Sequence, residues 1–297
     1  MLSNVLYWLV NMSLSATVTG LLVFILSKIK GIPPKFKYLF WMIPFLRMVI
    51  PFGLYSKFSL VSVLNSKSVT VYDGIADFTM TNYMQLADSY FPVNYKTEMI
   101  FNTFKIASVI WLIVFLIIAF LVVFLYITGL NSVKTATKIK DNIYVCENIK
   151  SPAVYGVFKA KIILPNHLTD EVDLIIKHEQ IHIKRFDNLL RMTAIIIAAV
   201  HWFNPFVWIF LKQLIIYQEL SCDQKVLESV GNDKKKYASM LVNCAKEISF
   251  MATGFGGGRL KKRVEYILSY KKLSAFSLVC LTVFATIVAY LLLTNGK

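Results

Sequence analysis

The sequence predicts a mainly α-helical integral membrane protein with one polar α+β domain set between its spans. Three observations carry that expectation. The chain of 297 residues is 57% hydrophobic and only 16% charged, with a mean hydropathy of +0.59, far from soluble averages. Residues 5–27, 38–55, 106–128 and 274–293 form four apolar runs, each near the about 20 residues that cross a bilayer. Between the third and fourth runs lies a more polar stretch containing His178-Glu179-Gln180-Ile181-His182.

The first run has no basic segment before it and no clear small-residue cleavage site, so it reads as a retained span. The link after it carries Lys28, Lys30, Lys35 and Lys37 and no acid. The longer link at 56–104 sets three lysines against Asp73, Asp77, Asp88 and Glu98. An excess of lysine and arginine marks cytoplasmic loops. The N-terminus and the 56–104 loop are therefore expected outside, and residues 129–273, with most of the +15 net charge, in the cytoplasm. This gives an N-terminal membrane region (1–128), a cytoplasmic domain (129–273), and a last span with a short external tail (274–297).

Inside the domain, residues 143–146, 153–156 and 160–165 read as short strands, with Gly156 and 158–159 turning between the last two. Residues 166–171 carry cap-type side chains that would open the helix of the histidine motif. A further apolar run, 189–216, is broken by His201-Trp202-Phe203-Asn204-Pro205. A single crossing there would put Glu219 on the far side of the bilayer from His178. Asn204 as a cap and Pro205 at the first helical position instead restart a helix. Two helices, about 188–200 and 205–230, are expected to form a membrane-associated hairpin, with His201 a structural hydrogen-bonding residue at its turn. The 254–258 glycine stretch reads as a linker.

The chemistry is carried by the motif. His178 and His182, one helical turn apart, share a face and can bind one Zn²⁺. Glu179 is placed to take a proton from water at that metal, as general base. Glu219 offers the third ligand of a site that keeps one position open. Asp223, one turn further on, can accept a hydrogen bond from the N–H of a ligand histidine. Asp187 is either another such partner or the cap of the next helix. Cys222 reads as a small buried packing residue. None of the four cysteines falls in the external loop, so no structural disulfide is expected.

Residues 151–159 (Ser-Pro-Ala-Val-Tyr-Gly-Val-Phe-Lys), Ile162-Ile163-Leu164-Pro165, the histidine motif with Asp187, His201–Pro205, and Glu219 with Cys222-Asp223 together resemble the BlaR/MecR family. These are membrane-embedded zinc metallopeptidases, antirepressor-type sensor-transducers and their shorter relatives. The resemblance implies a gluzincin-like fold for the domain, with His178, His182 and Glu219 as zinc ligands and Glu179 as base. It also implies a cytoplasmic transcriptional repressor as substrate in β-lactam-response signalling, with the protein itself a second substrate. A second copy of the chain is a candidate partner, and no direct contact with nucleic acid is expected. The pattern departs from the family at its C-terminus. The full sensors continue beyond the last span into an extracellular penicillin-binding domain, whereas this sequence stops. Two alternatives stand beside this reading: a housekeeping membrane protease, and a receptor whose zinc is structural. An intact Glu179 speaks against the receptor.

Overall fold

The computed structural model describes residues 2–50, 98–149, 151–166, 172–230, 233–246, 257–271 and 274–293. Most of the expected external loop, the cap stretch 167–171, residues 254–256 of the glycine stretch and the tail 294–297 lie outside them. In chain order the elements are α1 (Leu2–Ser27), α2 (Pro34–Val49), α3 (Glu98–Ser132), β1 (Thr137–Lys140), β2 (Ile143–Cys146), β3 (Ala153–Tyr155) and β4 (Lys161–Pro165). They continue with α4 (Val172–Lys184), α5 (Asp187–Val200), α6 (Pro205–Val230), α7 (Lys234–Lys246), α8 (Gly257–Ser269) and α9 (Ala275–Leu293).

Among the described residues, three helices are long and apolar enough to cross a membrane: α1, the Asn102–Ser132 part of α3, and α9. They coincide with the first, third and fourth expected spans. The second corresponds to α2, only 16 residues long. A helix of that length rises about 24 Å, short of the roughly 30 Å hydrocarbon core. Pro34 starts α2 at its first position, after an extended Pro33, where the missing N–H costs nothing. Residues 51–55 of that run lie outside the described residues.

The chain divides into two compact units. The first comprises Met1–Ala119, Ile196–Leu214 and Ser274–Lys297. Here α1 packs on α2, and the turn between α5 and α6 is buried among them. Asn204 donates from Nδ2 to Ser13 Oγ at 2.7 Å and Thr17 Oγ1 at 2.8 Å, while its Oδ1 accepts the Phe206 N–H at 2.9 Å. That last bond is the N-cap of α6 that the Asn-Pro pair predicts. His201 Nε2 pairs with the Met48 carbonyl at 3.2 Å, and Trp111 Nε1 donates to the Val200 carbonyl at 2.8 Å. These bonds tie the hairpin tip to the helices around it. Gly20 lets Phe210 approach α1: a Cβ at that position would stand 2.1 Å from the ring.

The second unit comprises Phe120–Ile195 and Ile215–Leu273. Its sheet runs β1-β2-β4-β3, with β2 and β4 parallel and both outer pairs antiparallel. Strand β4 explains its unbroken apolar sequence: side chains alternate across a strand, and both faces of this one are covered. Ile162 and Leu164 enter a core with Ile175, Ile181, Val226, Leu227, Met240, Leu241 and Ile267 from α4, α6, α7 and α8. Ile163 joins Cys146 and Ile149 on the other side. Gly156 takes φ +90° between β3 and β4, and a Cβ there would stand 2.9 Å from the Lys159 carbonyl oxygen. Strand β1 has no counterpart in the sequence reading. Its four side chains are exposed, and it is held by backbone pairing to β2. Gly257 and Gly258, read as linker, open α8 instead.

Candidate metal centre

Helix α4 carries the motif. Residues three and four apart lie on one helical face, so Ile175, His178, Ile181 and His182 are the buried positions of α4. The two rings meet at 3.1 Å between their Nε2 atoms. Glu219 Oε2, from α6, stands 3.7 Å from His178 Nε2 and 3.8 Å from His182 Nε2. Ligand atoms about 2.1 Å from a tetrahedral ion stand about 3.4 Å from one another. The triangle of 3.1, 3.7 and 3.8 Å is of that size.

The other ring nitrogens set the tautomers. His182 Nδ1 donates to Asp187 Oδ2 at 2.6 Å. Tyr237, from α7, donates its hydroxyl to Asp223 Oδ1 at 2.7 Å and stands 2.9 Å from His178 Nδ1, whose N–H it accepts. With both Nδ1 atoms protonated, both Nε2 lone pairs point at each other and at a carboxylate oxygen. Three donor atoms within 3.8 Å of one another, with the Arg263 guanidinium no nearer than 3.4 Å to two of them, make a set that fits a divalent metal.

A left-handed turn places Asp187. Phe186, between α4 and α5, has φ +55°, a conformation that a bulky side chain rarely adopts. It lets the chain double back so that the first residue of α5 faces a ring in the last turn of α4. Asp187 also pairs with Arg185 Nε at 3.3 Å. Glu219 is aimed by Arg191, which donates to its Oε1 at 3.0 Å and leaves Oε2 toward the histidines. Gln218 accepts from Arg191 at 3.0 and 3.1 Å and donates to the Asp187 carbonyl at 3.1 Å, tying α5 to α6.

Arg263, from α8, clamps Asp223 with Nε at 2.8 Å and Nη2 at 2.7 Å. The contact expected directly between Asp223 and a histidine ring thus runs through Tyr237; Asp223 Oδ1 itself is 3.6 Å from His178 Nδ1. Tyr237, Arg263 and Arg191 were not singled out from the sequence. A signal exists for Arg263: Leu260, Val264 and Ile267 mark the apolar face of α8, and Arg263 shares that face, unlike Lys261. A charge on a core face needs a partner. Glu179, next to His178, is half-buried.

His178, His182 and Cys222 also form a compact buried group of potential ligands. The Cys222 sulfur, however, lies 3.5 Å from His178 Nδ1, the nitrogen that Tyr237 engages, and not in front of the facing Nε2 atoms. One imidazole cannot aim both nitrogens at one ion, so an ion between the facing Nε2 atoms would meet Glu219 Oε2 and not the Cys222 sulfur. The electrostatics favour a cation. Burial disfavours charge on His178, but the Cys222 sulfur and the Glu219 carboxylate outweigh it and hold its pKa up at about 10. Burial likewise opposes charge on Glu219, yet its bonds to the two histidines and the nearby Arg263 hold it well below the usual carboxylate range. A divalent metal can take the place that the second ring proton of His178 fills.

The chain is similar to known proteins over most of its length. A family model described as BlaR1 peptidase M56 matches residues 7–267. The chain is 38% identical over 101 residues to the regulatory protein BlaR1 of Bacillus licheniformis, covering 32% of this chain and 16% of that protein. It is 28% identical over 137 residues to the methicillin resistance mecR1 protein of Staphylococcus aureus, covering 41% and 23%. Against the regulatory protein BlaR1 of Staphylococcus aureus the identity is 26% over 214 residues, covering 61% and 37%. The chain thus aligns with well under half the length of each of these relatives. The family match takes in most of α1, all of α2 and α3, and the whole metal-facing network, and the chain belongs to the BlaR1 peptidase M56 family.

Proposed function

We propose that this chain is a multi-pass membrane zinc metalloendopeptidase that cleaves a cytoplasmic regulator, a transcriptional repressor, in signalling of the β-lactam-response type. The observation that carries the reading is the convergence of His178, His182 and Glu219 through three atoms no more than 3.8 Å apart. A zinc ion held there supplies Lewis acidity toward a water molecule and a scissile carbonyl. Glu179 takes a proton from the attacking water and passes it to the amine nitrogen as the C–N bond breaks. Asp187 and the Tyr237–Asp223 pair hold the two rings in the ligating tautomer. The domain, residues 129–273, is gluzincin-like and faces the cytoplasm, and the apolar run 38–55 is a fourth crossing. The repressor rests on the resemblance to relatives named as regulatory and resistance proteins.

The test compares cells carrying the wild type with cells carrying Glu179→Gln by proteomics. A cytoplasmic repressor fragment present only with the wild type is the expected result. Purified Glu179→Gln should keep its zinc, while His178→Ala and His182→Ala lose it. Equal fragment patterns in the two strains would overturn the regulatory reading, and zinc loss in folded Glu179→Gln would make Glu179 a ligand. For orientation, an impermeant thiol reagent should label a cysteine placed at Asp73 or Asp88 and spare one at Lys150 or Lys235. Labelling at Lys235 from outside would rule out a cytoplasmic substrate.

A further inference from the structure

Arg263 carries more donors than its carboxylate partner uses. A guanidinium has five N–H groups in a rigid fork, and the Asp223 clamp takes one at Nε and one at Nη2. Two of the remaining three face the metal centre. Nη2 lies 3.4 Å from His178 Nε2, and Nη1 lies 3.4 Å from Glu219 Oε2. Those are two of the three atoms that converge on the metal position. The clamp is rigid, because Asp223 is fully buried and Arg263 lies on the core face of α8.

A fixed positive charge beside a metal's own ligands weakens metal binding by repulsion. A purely structural partner for Asp223 would sit more favourably on the side away from the metal. Its placement makes sense if negative charge develops at this spot during the reaction. In peptide hydrolysis the water oxygen adds to the carbonyl carbon and the π pair moves onto the carbonyl oxygen. That pair returns when the C–N bond breaks, the amine leaving with the proton delivered by Glu179. The charge is therefore transient, and a preorganised donor aimed at it lowers the barrier without tightening substrate binding.

Resting on the metallopeptidase reading above, we propose that the Nη1–Nη2 edge of Arg263 binds the scissile carbonyl oxygen as it becomes negative, making Arg263 a second electrophile beside the metal. Asp223 then has two tasks. It orients His178 through Tyr237 and holds Arg263 at the right angle.

The test uses the full chain, zinc-loaded in detergent, with two probes. N-phosphoryl-leucinamide is anionic and tetrahedral, whereas leucine hydroxamate grips a metal and needs no second electrophile. Arg263→Gln should keep the wild-type zinc content and hydroxamate affinity but bind the phosphoryl probe far more weakly. Its kcat on a fluorogenic peptide that the wild type cleaves should fall about 100- to 1,000-fold with KM little changed. Arg263→Lys, which keeps the charge without the fork, should recover part of both losses; it carries the same measurements should the glutamine variant not fold. Equal weakening of both probes, or loss of zinc, would make Arg263 only a strut for Asp223. Undiminished phosphoryl binding would remove its anion role. A wild type that holds no zinc and binds neither probe would sink the metallopeptidase reading itself, before any variant is examined.

Discussion

Tyr237→Phe removes one oxygen and keeps the ring in the core. The hydroxyl is 2.9 Å from His178 Nδ1 and 2.7 Å from Asp223 Oδ1. Asp223 Oδ1 retains Arg263 Nη2 at 2.7 Å, so the carboxylate stays paired. His178 Nδ1 does not fare as well, because its distance of 3.6 Å from Asp223 Oδ1 is too long for a hydrogen bond. A buried donor without an acceptor costs about 1–3 kcal/mol. The loss falls on the metal-bound state, in which ligation by Nε2 fixes the ring while Nδ1 must carry the proton; the metal-free ring is not held in place and can turn its N–H groups toward Glu219 and the Cys222 sulfur. At about 1.4 kcal/mol per tenfold, zinc should bind about 5- to 150-fold more weakly. That range overlaps the roughly 10- to 100-fold typical of groups that hold a ligand histidine from behind. The assay is a competition titration against a chromogenic chelator on full-length protein, with thermal unfolding in EDTA to show that the metal-free fold is kept. Unchanged zinc affinity in a folded Tyr237→Phe protein would refute the reasoning. It would mean that His178 finds another acceptor, and the Cys222 sulfur at 3.5 Å is the nearest.

The third donor is separated by two substitutions: Glu219→Gln should weaken zinc by more than the about 10- to 100-fold of a supporting residue, and Cys222→Ser should leave it unchanged. The reverse order, by the same titration, would make the thiol the ligand. Asp187→Asn keeps an oxygen near His182 but removes its charge from a 2.6 Å bond, so zinc affinity should fall about 10-fold or more; no change would reduce Asp187 to a helix cap. In the other unit, Gly20→Ala drives a methyl group into the buried Phe210 ring and should destabilise the protein by about 1–3 kcal/mol. Adding Phe210→Leu should restore part of the lost Tm in detergent, and a Gly20→Ala protein of unaltered Tm would contradict that packing.

Local chemistry was legible in the sequence, and long-range pairing was not. Asn204-Pro205 writes a cap and a first turn within two residues, and the need for Glu219 to reach His178 makes the apolar run before it turn back. The histidine spacing is a helical period and needs no tertiary information. Strands β2 and β4 were visible because continuous apolar side chains imply cover on both faces, whereas β1, with Ile139 its one apolar side chain, leaves no such trace. Tyr237 and Arg263 were missed for a related reason. They come to His178 from 59 and 85 residues along the chain, and each sits beside lysines that disguise it as solvated charge. Only the helical phase of Leu260, Val264 and Ile267 separates Arg263 from Lys261 and Lys262. The role expected of Asp223 as an outer partner depended on a third side chain that no local pattern announces.

The left-handed turn at Phe186 fixes how long the chain may be between His182 and Asp187. Each residue of a helix advances its side chain by about 100°, so one inserted or deleted residue would swing the carboxylate to another side of α5 and away from the imidazole. The spacing of five residues is thus a length that descendants of this sequence must keep. The identity at the turn is less constrained. The Phe186 side chain is 63% exposed, and glycine or asparagine would hold the same backbone with less strain. Substitution can drift at this position while insertion and deletion cannot.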